Sequence, residues 1–262
     1  DQSGATAATL LRPVSGRTIA IGDIHGGYDE LEALLRKLPA LSASDTIVLL
    51  GDYVDRGKDS AKVLKLIRED LPKRIKSRIV ALRGNHEDGW LRVVYGQWHS
   101  FVYPRANGCL ATLRSFEGKP HKPDDKASDD EIARMCAGSF FPPGTLEWME
   151  SLPYWYEDEN AIFVHAGLVE QDGAFVHPMA TENKAMLLWV RTMKFYSEYR
   201  GKRVVCGHTP TEHLPPEMSS HTPDDPTDAW VGECVTVIDT GCGRGGFLTA
   251  LEMPSMTIYE SR

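Results

Sequence analysis

The sequence has no C-x-x-C pair, and its five cysteines (Cys109, Cys136, Cys206, Cys234 and Cys242) are odd in number and scattered over 262 residues. That spacing argues against a disulfide framework and fits free, structural thiols in a reducing compartment. Long apolar runs are missing too. No stretch approaches the roughly 18–20 residues of a membrane span, and the opening DQSGATAATLLRPVSG has neither a basic n-region nor a proper h-region. Positive charge is in short supply: the formal net charge is -8, which opposes non-specific binding to nucleic acid or an anionic membrane. The expected compartment is cytoplasmic. Because the chain begins with Asp1 rather than Met, a targeting segment upstream stays open. Neither an oligomeric state nor a partner protein can be assigned from these features.

What is present is ordinary for a soluble globular protein. Apolar residues make up 42% and charged residues 25%, with six Trp and nine Tyr. The length suits one large domain or two small ones. With no internal repeat and no linker composition, the expectation is a flexible leader over 1–16 and one catalytic domain over 17–262.

RTIAIG (17–22) reads as a buried strand, being short, β-branched and followed by Gly-Asp. In YDELEALLRKL the residues Leu31, Leu34, Leu35 and Leu38 fall on one face of a helix, with acids early and bases late, and Pro39 ends it. The pattern repeats as strand 46–51, helix 60–70 and strand 78–84, the βαβ signature of a sheet covered by helices. Further strands are expected at 161–167, 203–208, 234–241, 247–253 and 256–261. The last three have no helices between them and predict an antiparallel second half. A helical, aromatic-rich insert is expected at about 89–150 and a Pro/Ser/Asp-rich surface loop at about 211–230, the two together walling any site.

The polar residues gather at strand ends. Gly22-Asp23-Ile24-His25, Gly51-Asp52, Gly84-Asn85-His86, His165 with Gly167, and Gly207-His208 each put a Gly beside a metal-capable side chain. In α/β sheets, sites form beyond the carboxyl ends of strands, so these five loops are expected to converge. One such loop would be an ordinary turn. Five supplying Asp, Asn and His, without Cys, suit Mn, Fe, Zn, Co or Ni. They are too many for one catalytic metal and enough for two, with Asp52 as the natural bridge. Arg56 and Arg83 sit one or two residues from these loops and match phosphate oxygens. GDYVDRGKDS is no P-loop, since five residues separate its glycines and Asp59 follows Lys58. His99, His121, His177, His213 and His221 have no comparable setting.

The segments GDIHG (22–26), GDYVDRG (51–57), GNHE (84–87), HAG (165–167) and GHT (207–209) resemble, in order, the motifs of the calcineurin-like metallophosphoesterases. The specific likeness is to the phosphoprotein phosphatase branch, which includes serine/threonine protein phosphatases and symmetrical diadenosine tetraphosphatases. It runs from about 17 to 254. It implies an α/β fold of two sheets in a sandwich flanked by helices, with the metal site at the strand C-terminal ends. It also implies two divalent metals, Mn first and Fe, Zn, Co, Ni or Mg as alternatives. One would be held by Asp23, His25 and Asp52, the other by Asp52, Asn85, His165 and His208. By the same resemblance His86 protonates the leaving oxygen, Asp55 orients it, and Arg56, Arg83 and Arg191, with Asn85, bind the substrate phosphate.

The implied activity is metal-hydroxide attack on a phosphate ester. Asp55 follows the protein-phosphatase pattern, so a serine/threonine phosphoprotein is the first expectation for the substrate. The opening GDIHGGYDELEALL and the insert after GNHE look equally like the dinucleotide hydrolases. A nucleoside polyphosphate, including a cap-like RNA 5′-anhydride, is therefore the alternative, and a catalytically silent binding protein the alternative of another class.

Overall fold

Thr18–Ile21 (β1), Thr46–Leu49 (β2) and Arg78–Ala81 (β3) pair side by side in parallel, and their side chains alternate between two apolar environments. Ile19, Ile21, Ile47 and Leu49 face helices, whereas Ala20, Val48 and Val80 face a second sheet. The computed structural model describes residues 16–262, so the leader expected over 1–16 lies, apart from Gly16, outside it.

The helices on the first face are Tyr28–Lys37 (α1) and a run that starts as Ser60–Lys65 (α2) and passes through a π-helical Leu66–Asp70 into Leu71–Arg74 (α3). The second helix therefore outruns its expected end at 70, because Pro72 falls in the first turn of α3, where its missing N–H costs nothing. Leu31, Leu34, Val63, Leu64 and Ile67 form the apolar stripe. Each such side chain stabilises the fold by about 1.5–3 kcal/mol on burial.

The segment after β3 is helical as expected: Asn85–Val94 (α4), Cys109–Glu117 (α5), Asp129–Ala137 (α6) and Thr145–Ser151 (α7). The chain then enters the second sheet with Trp155–Glu157 (β4), Ile162–Val164 (β5), a two-strand ribbon Glu170–Gln171 (β6) and Ala174–Phe175 (β7), and the helix Met193–Glu198 (α8). Val204–Cys206 (β8), Trp230–Val231 (β9) and Val235–Val237 (β10) complete that sheet, in the order β4-β5-β8-β10-β9. Thr249–Met253 (β11) and Thr257–Glu260 (β12) return to the first sheet, whose order is β12-β11-β1-β2-β3.

The expected antiparallel grouping of the last three strands needs correcting. β11 and β12 are antiparallel, and β11 is antiparallel to β1, but β10 runs parallel to β8 in the other sheet. The glycine-rich crossing after β10, with Gly241, Gly243 and Gly245 at positive φ, is what carries the chain from one sheet to the other. Facing residues of the two sheets, among them Val48, Phe163, Val205, Ile238 and Leu251, close the central core. The architecture is thus helices, sheet, sheet, with α8 on the outer face of the second sheet, where Phe195 and Tyr196 pack on Val164 and Cys206. Among the described residues no helix is long and apolar enough to cross a membrane.

Candidate active site

The parallel strands β1, β2, β3, β5 and β8 bring their carboxyl ends together, so the five loops meet. The Ile24 and His25 N–H groups donate to the Asp52 carbonyl at 3.0 and 2.8 Å, and Gly207 N–H donates to the His165 carbonyl at 2.8 Å. His25, Asp52, Asp55, Arg56 and His208 are all in the left-handed region, with φ between 44° and 72°. For residues with a Cβ this conformation is strained, and it persists because the surrounding hydrogen bonds over-determine it.

Asp52 stands at the centre. Its Oδ2 lies 3.4 Å from His25 Nε2 and 3.9 Å from His86 Nε2, while its Oδ1 lies 3.5 Å from His165 Nε2 and accepts the His86 backbone N–H at 2.9 Å. Donor atoms of His25, Asp52 and His86 form one cluster, and those of Asp52, His165 and His208 a second. Asp23 Oδ2 lies 3.9 Å from His25 Nε2. Asn85 Oδ1 is 2.9 Å from His165 Nε2 and 2.8 Å from His208 Nδ1. The six expected ligands are therefore together and buried, with Asp52 common to both groups.

Electrostatics match a cation-binding centre. Burial pushes Asp23 well above the usual carboxylate range, helped by the neighbouring charges of Asp239 and Asp52. Burial would raise Asp52 too, whereas the surrounding imidazoles, were they protonated, and the His86 backbone N–H act in the opposite direction. His25, His165 and His208 are pushed down by burial first, and so offer neutral nitrogen lone pairs. His25 Nδ1 and His165 Nδ1 lie 2.9 and 2.8 Å from the carbonyls of Val54 and Leu50, which fixes the proton there and turns Nε2 toward the carboxylates. A buried set of carboxylate, amide and neutral imidazole donors fits a pair of divalent metals.

His86 Nδ1 donates to Asp55 Oδ2 at 2.6 Å. The other oxygen of Asp55 accepts from Trp90 Nε1 at 2.9 Å and Thr112 Oγ1 at 2.6 Å, and the carboxylate is wholly buried. Arg56 contacts His25 Nε2 through Nη1 and donates from Nε to the Ala106 carbonyl. Gly108 permits this: a Cβ there would lie 2.3 Å from Arg56 N. Arg191 is exposed and donates to the His208 carbonyl at 2.9 Å, at the edge of the centre. Arg83 goes elsewhere. Its guanidinium donates to Tyr154 Oη and the Glu150 carbonyl, stacks on the Tyr154 ring and lies 3.8 Å from Asp88. His177 pairs with Glu157, and His221, Asp228 and Glu260 form a separate, partly exposed group apart from these two clusters.

Several residues that sequence reasoning passed over belong here. Glu87, fully buried, accepts the N–H groups of Asp52, Tyr53 and Gly84, and burial beside Asp52 pushes it up to about 8. Asp239 follows β10 just as Asp52 follows β2, and it is held by Arg244 Nη2 at 2.9 Å from both of its oxygens. Its position two residues past a buried strand is a usable signal. Trp90 and Thr112 lie inside helices and gave none.

Residues 16–233 match the family model described as calcineurin-like phosphoesterase. A symmetrical bis(5′-nucleosyl)-tetraphosphatase of Neisseria meningitidis is 30% identical over 70% of this chain and 55% of that protein. The serine/threonine-protein phosphatase 6 catalytic subunit of Drosophila melanogaster is 38% identical over 42% of this chain and 36% of that protein. The chain spans about half the length of the tetraphosphatase relatives it matches. A crystal structure provisionally named a diadenosine tetraphosphatase superposes with a TM-score of 0.58 at 22% identity, over 96% of each chain. A cold-active protein-tyrosine phosphatase of Shewanella gives 0.52 at 16% identity, over 97% of this chain and 84% of the other.

Proposed function

Since the chain belongs to the calcineurin-like phosphoesterase family, we propose that it is a phosphohydrolase that works with two divalent metals, Mn foremost, held by the clusters that share Asp52. One group is Asp23, His25 and Asp52; the other is Asp52, Asn85, His165 and His208. The observation that carries this reading is the placement of His86, hydrogen-bonded to buried Asp55, beside His25 and the Asp52 that both groups share. When bound, such a pair supplies Lewis acidity toward water and phosphate oxygens.

The rest follows from the chain's own side chains. Arg56, fixed by the Ala106 carbonyl, offers a guanidinium to the substrate phosphate beside His25, with Arg191 at the opposite edge. The buried walls exclude bulk water, which strengthens each of these charge contacts. Asp55 holds the proton of His86 on Nδ1 and stabilises the imidazolium, leaving the Nε2 proton for the leaving oxygen. In the hydrolysis a water oxygen forms a bond to phosphorus and gives up a proton to solvent, the bond from phosphorus to the leaving oxygen breaks, and that oxygen takes the His86 proton, which solvent then replaces. Arg83 supports this only indirectly, by tying β3 to Tyr154 and Glu150.

A well-poised acid equips the site for alkoxide leaving groups, which favours a phosphoserine or phosphothreonine protein. The names of the tetraphosphatase relatives favour the second reading, a nucleoside polyphosphate. Turnover of p-nitrophenyl phosphate, a phosphoserine peptide and diadenosine tetraphosphate in Mn²⁺, with His86→Asn beside wild type, tests the proposal. Turnover in wild type that collapses in the variant is expected; no turnover of any of the three sinks the phosphohydrolase reading.

A further inference from the structure

Beside the metal centre runs an open groove of about 650 Å³, whose walls include Arg56, Arg105 and Arg244 together with Val102, Tyr103 and Asp125. Its inner end is Arg56, already in contact with His25. Arg244 is anchored next to it in two ways. The preceding Gly243 packs so closely on His25 that a Cβ would fall 2.4 Å from the His25 carbonyl oxygen, and Arg244 Nη2 spans both oxygens of buried Asp239. That pairing occupies one nitrogen. Among the described residues Nε and Nη1 of Arg244 have no hydrogen-bond partner, and the side chain is 29% exposed.

The charge balance of the groove is positive. Asp125 is answered by Arg114 from outside, and the contact of Arg105 with Asp124 joins two exposed groups, a pairing that competes weakly with a ligand anion. Arg56 and Arg244 line the same groove, so an anion held there meets two guanidiniums. Beyond them the exposed ring of Tyr103 and the side chain of Val102 offer apolar surface.

We infer that Arg244, with Arg105 further along the groove, is a specificity-determining residue that selects an organic phosphoanhydride chain, in which the reacting phosphoryl group is joined to a second anionic phosphate, over a simple phosphate monoester. This rests on the phosphohydrolase reading. It favours the nucleoside-polyphosphate reading over the phosphoprotein one: the Asp55–His86 pair equips the site for alkoxide leaving groups without requiring them, and the groove decides which substrates the site holds.

Two measurements on the Mn²⁺-loaded protein test the inference. The first is kcat/KM for diadenosine tetraphosphate relative to p-nitrophenyl phosphate in wild type, Arg244→Gln, Arg244→Lys and Arg105→Gln. Loss of one charged contact is worth roughly tenfold or more, so Arg244→Gln should lower that ratio by about this factor, mainly through KM for the tetraphosphate. Arg244→Lys should restore part of it, and Arg105→Gln should act in the same direction. An equal loss on both substrates would mean that Arg244 serves only to hold Asp239, which overturns the inference. The second is calorimetric affinity for ADP against AMP, which needs no turnover. If wild type prefers ADP and Arg244→Gln abolishes the preference, the inference stands even should no ester be hydrolysed. No preference in wild type, or one that the variant keeps, refutes it.

Discussion

Asp55→Asn removes one charge from the site and almost no volume. The carboxylate accepts on both sides, from His86 Nδ1 on one oxygen and from Trp90 Nε1 and Thr112 Oγ1 on the other. An asparagine cannot do both. With its oxygen toward His86, its amide nitrogen meets the indole N–H of Trp90, and two donors face each other. With its nitrogen toward His86, the ring must accept at Nδ1, so a protonated imidazolium would point N–H at N–H. Either way the charge-assisted bond that stabilises His86 as an acid is lost, at about 1.5–3 kcal/mol, or roughly 10–100-fold in rate for any step that needs its proton. The assay is kcat in Mn²⁺ across aryl phosphates of rising leaving-group pKa. Phenyl phosphate should lose the full factor, and a dinitrophenyl ester, whose leaving group needs little protonation, should lose about threefold or less. Thermal melting checks the fold, since the mismatched donor costs about 1–3 kcal/mol of stability. A loss of the same size for every leaving group, or no loss at all, would refute the assignment of Asp55 to the acid.

Stripping metal with a chelator should abolish turnover and lower the melting temperature, because Asp23 and Asp52 would stay buried together without a cation; turnover that persists with metal content near zero contradicts the ligand assignment. Gly108→Ala should destabilise the chain by about 1–3 kcal/mol and disturb Arg56, given a φ of 75° and a Cβ 2.3 Å from Arg56 N; a variant with unchanged melting and KM would speak against the close packing. Glu131 is held down to about 2 by its hydrogen bond with Arg114. A depressed carboxylate contributes stability above its unfolded value of about 4.5, and this is lost as pH falls toward 2. Urea midpoints should therefore put wild type above Glu131→Gln at pH 6 by about 1 kcal/mol or less, with the gap narrowing as pH falls below about 4.5 and closing only near about pH 2; a gap that does not change with pH would contradict the pairing.

The residues that could be found from the sequence share one property: each sits where a strand stops. A buried β-branched run followed by Gly and a polar side chain is a local pattern, and at β1, β2, β3, β5 and β8 it marks Asp23, His25, Asp52, Asn85, His86, His165 and His208, which the fold brings together. The strand positions and covering helices were legible for the same reason, since periodicities of 2 and 3.6 are local too. The pairing of β10 was not, because which sheet a strand joins depends on where the chain has been. Val235–Val237 finds its neighbour in Val204–Cys206, while β11, only a glycine-rich loop later, finds β1 at the far end of the sequence.

The same distinction explains the errors within the site. Thr112 and Trp90 reach Asp55 across 57 and 35 positions, and from inside helices they read as ordinary packing residues. Arg83 is the opposite case: its proximity in sequence to Asn85 suggests a phosphate contact, whereas the neighbours of its guanidinium in the structure are Tyr154 and Glu150. An arginine's reach is set by which backbone carbonyls and rings surround its stem, and nothing within a few residues of it encodes that. Arg244 is the counterpart. It lies between the strands expected at 234–241 and 247–253, and it comes to bear on the centre only because Gly243 allows the loop to lie against His25. The candidate metal ligands sit at strand ends and so show as local motifs, whereas the side chains that would choose among phosphates sit on the loops between sheets. Their chemistry is visible only once the two sheets are closed on each other.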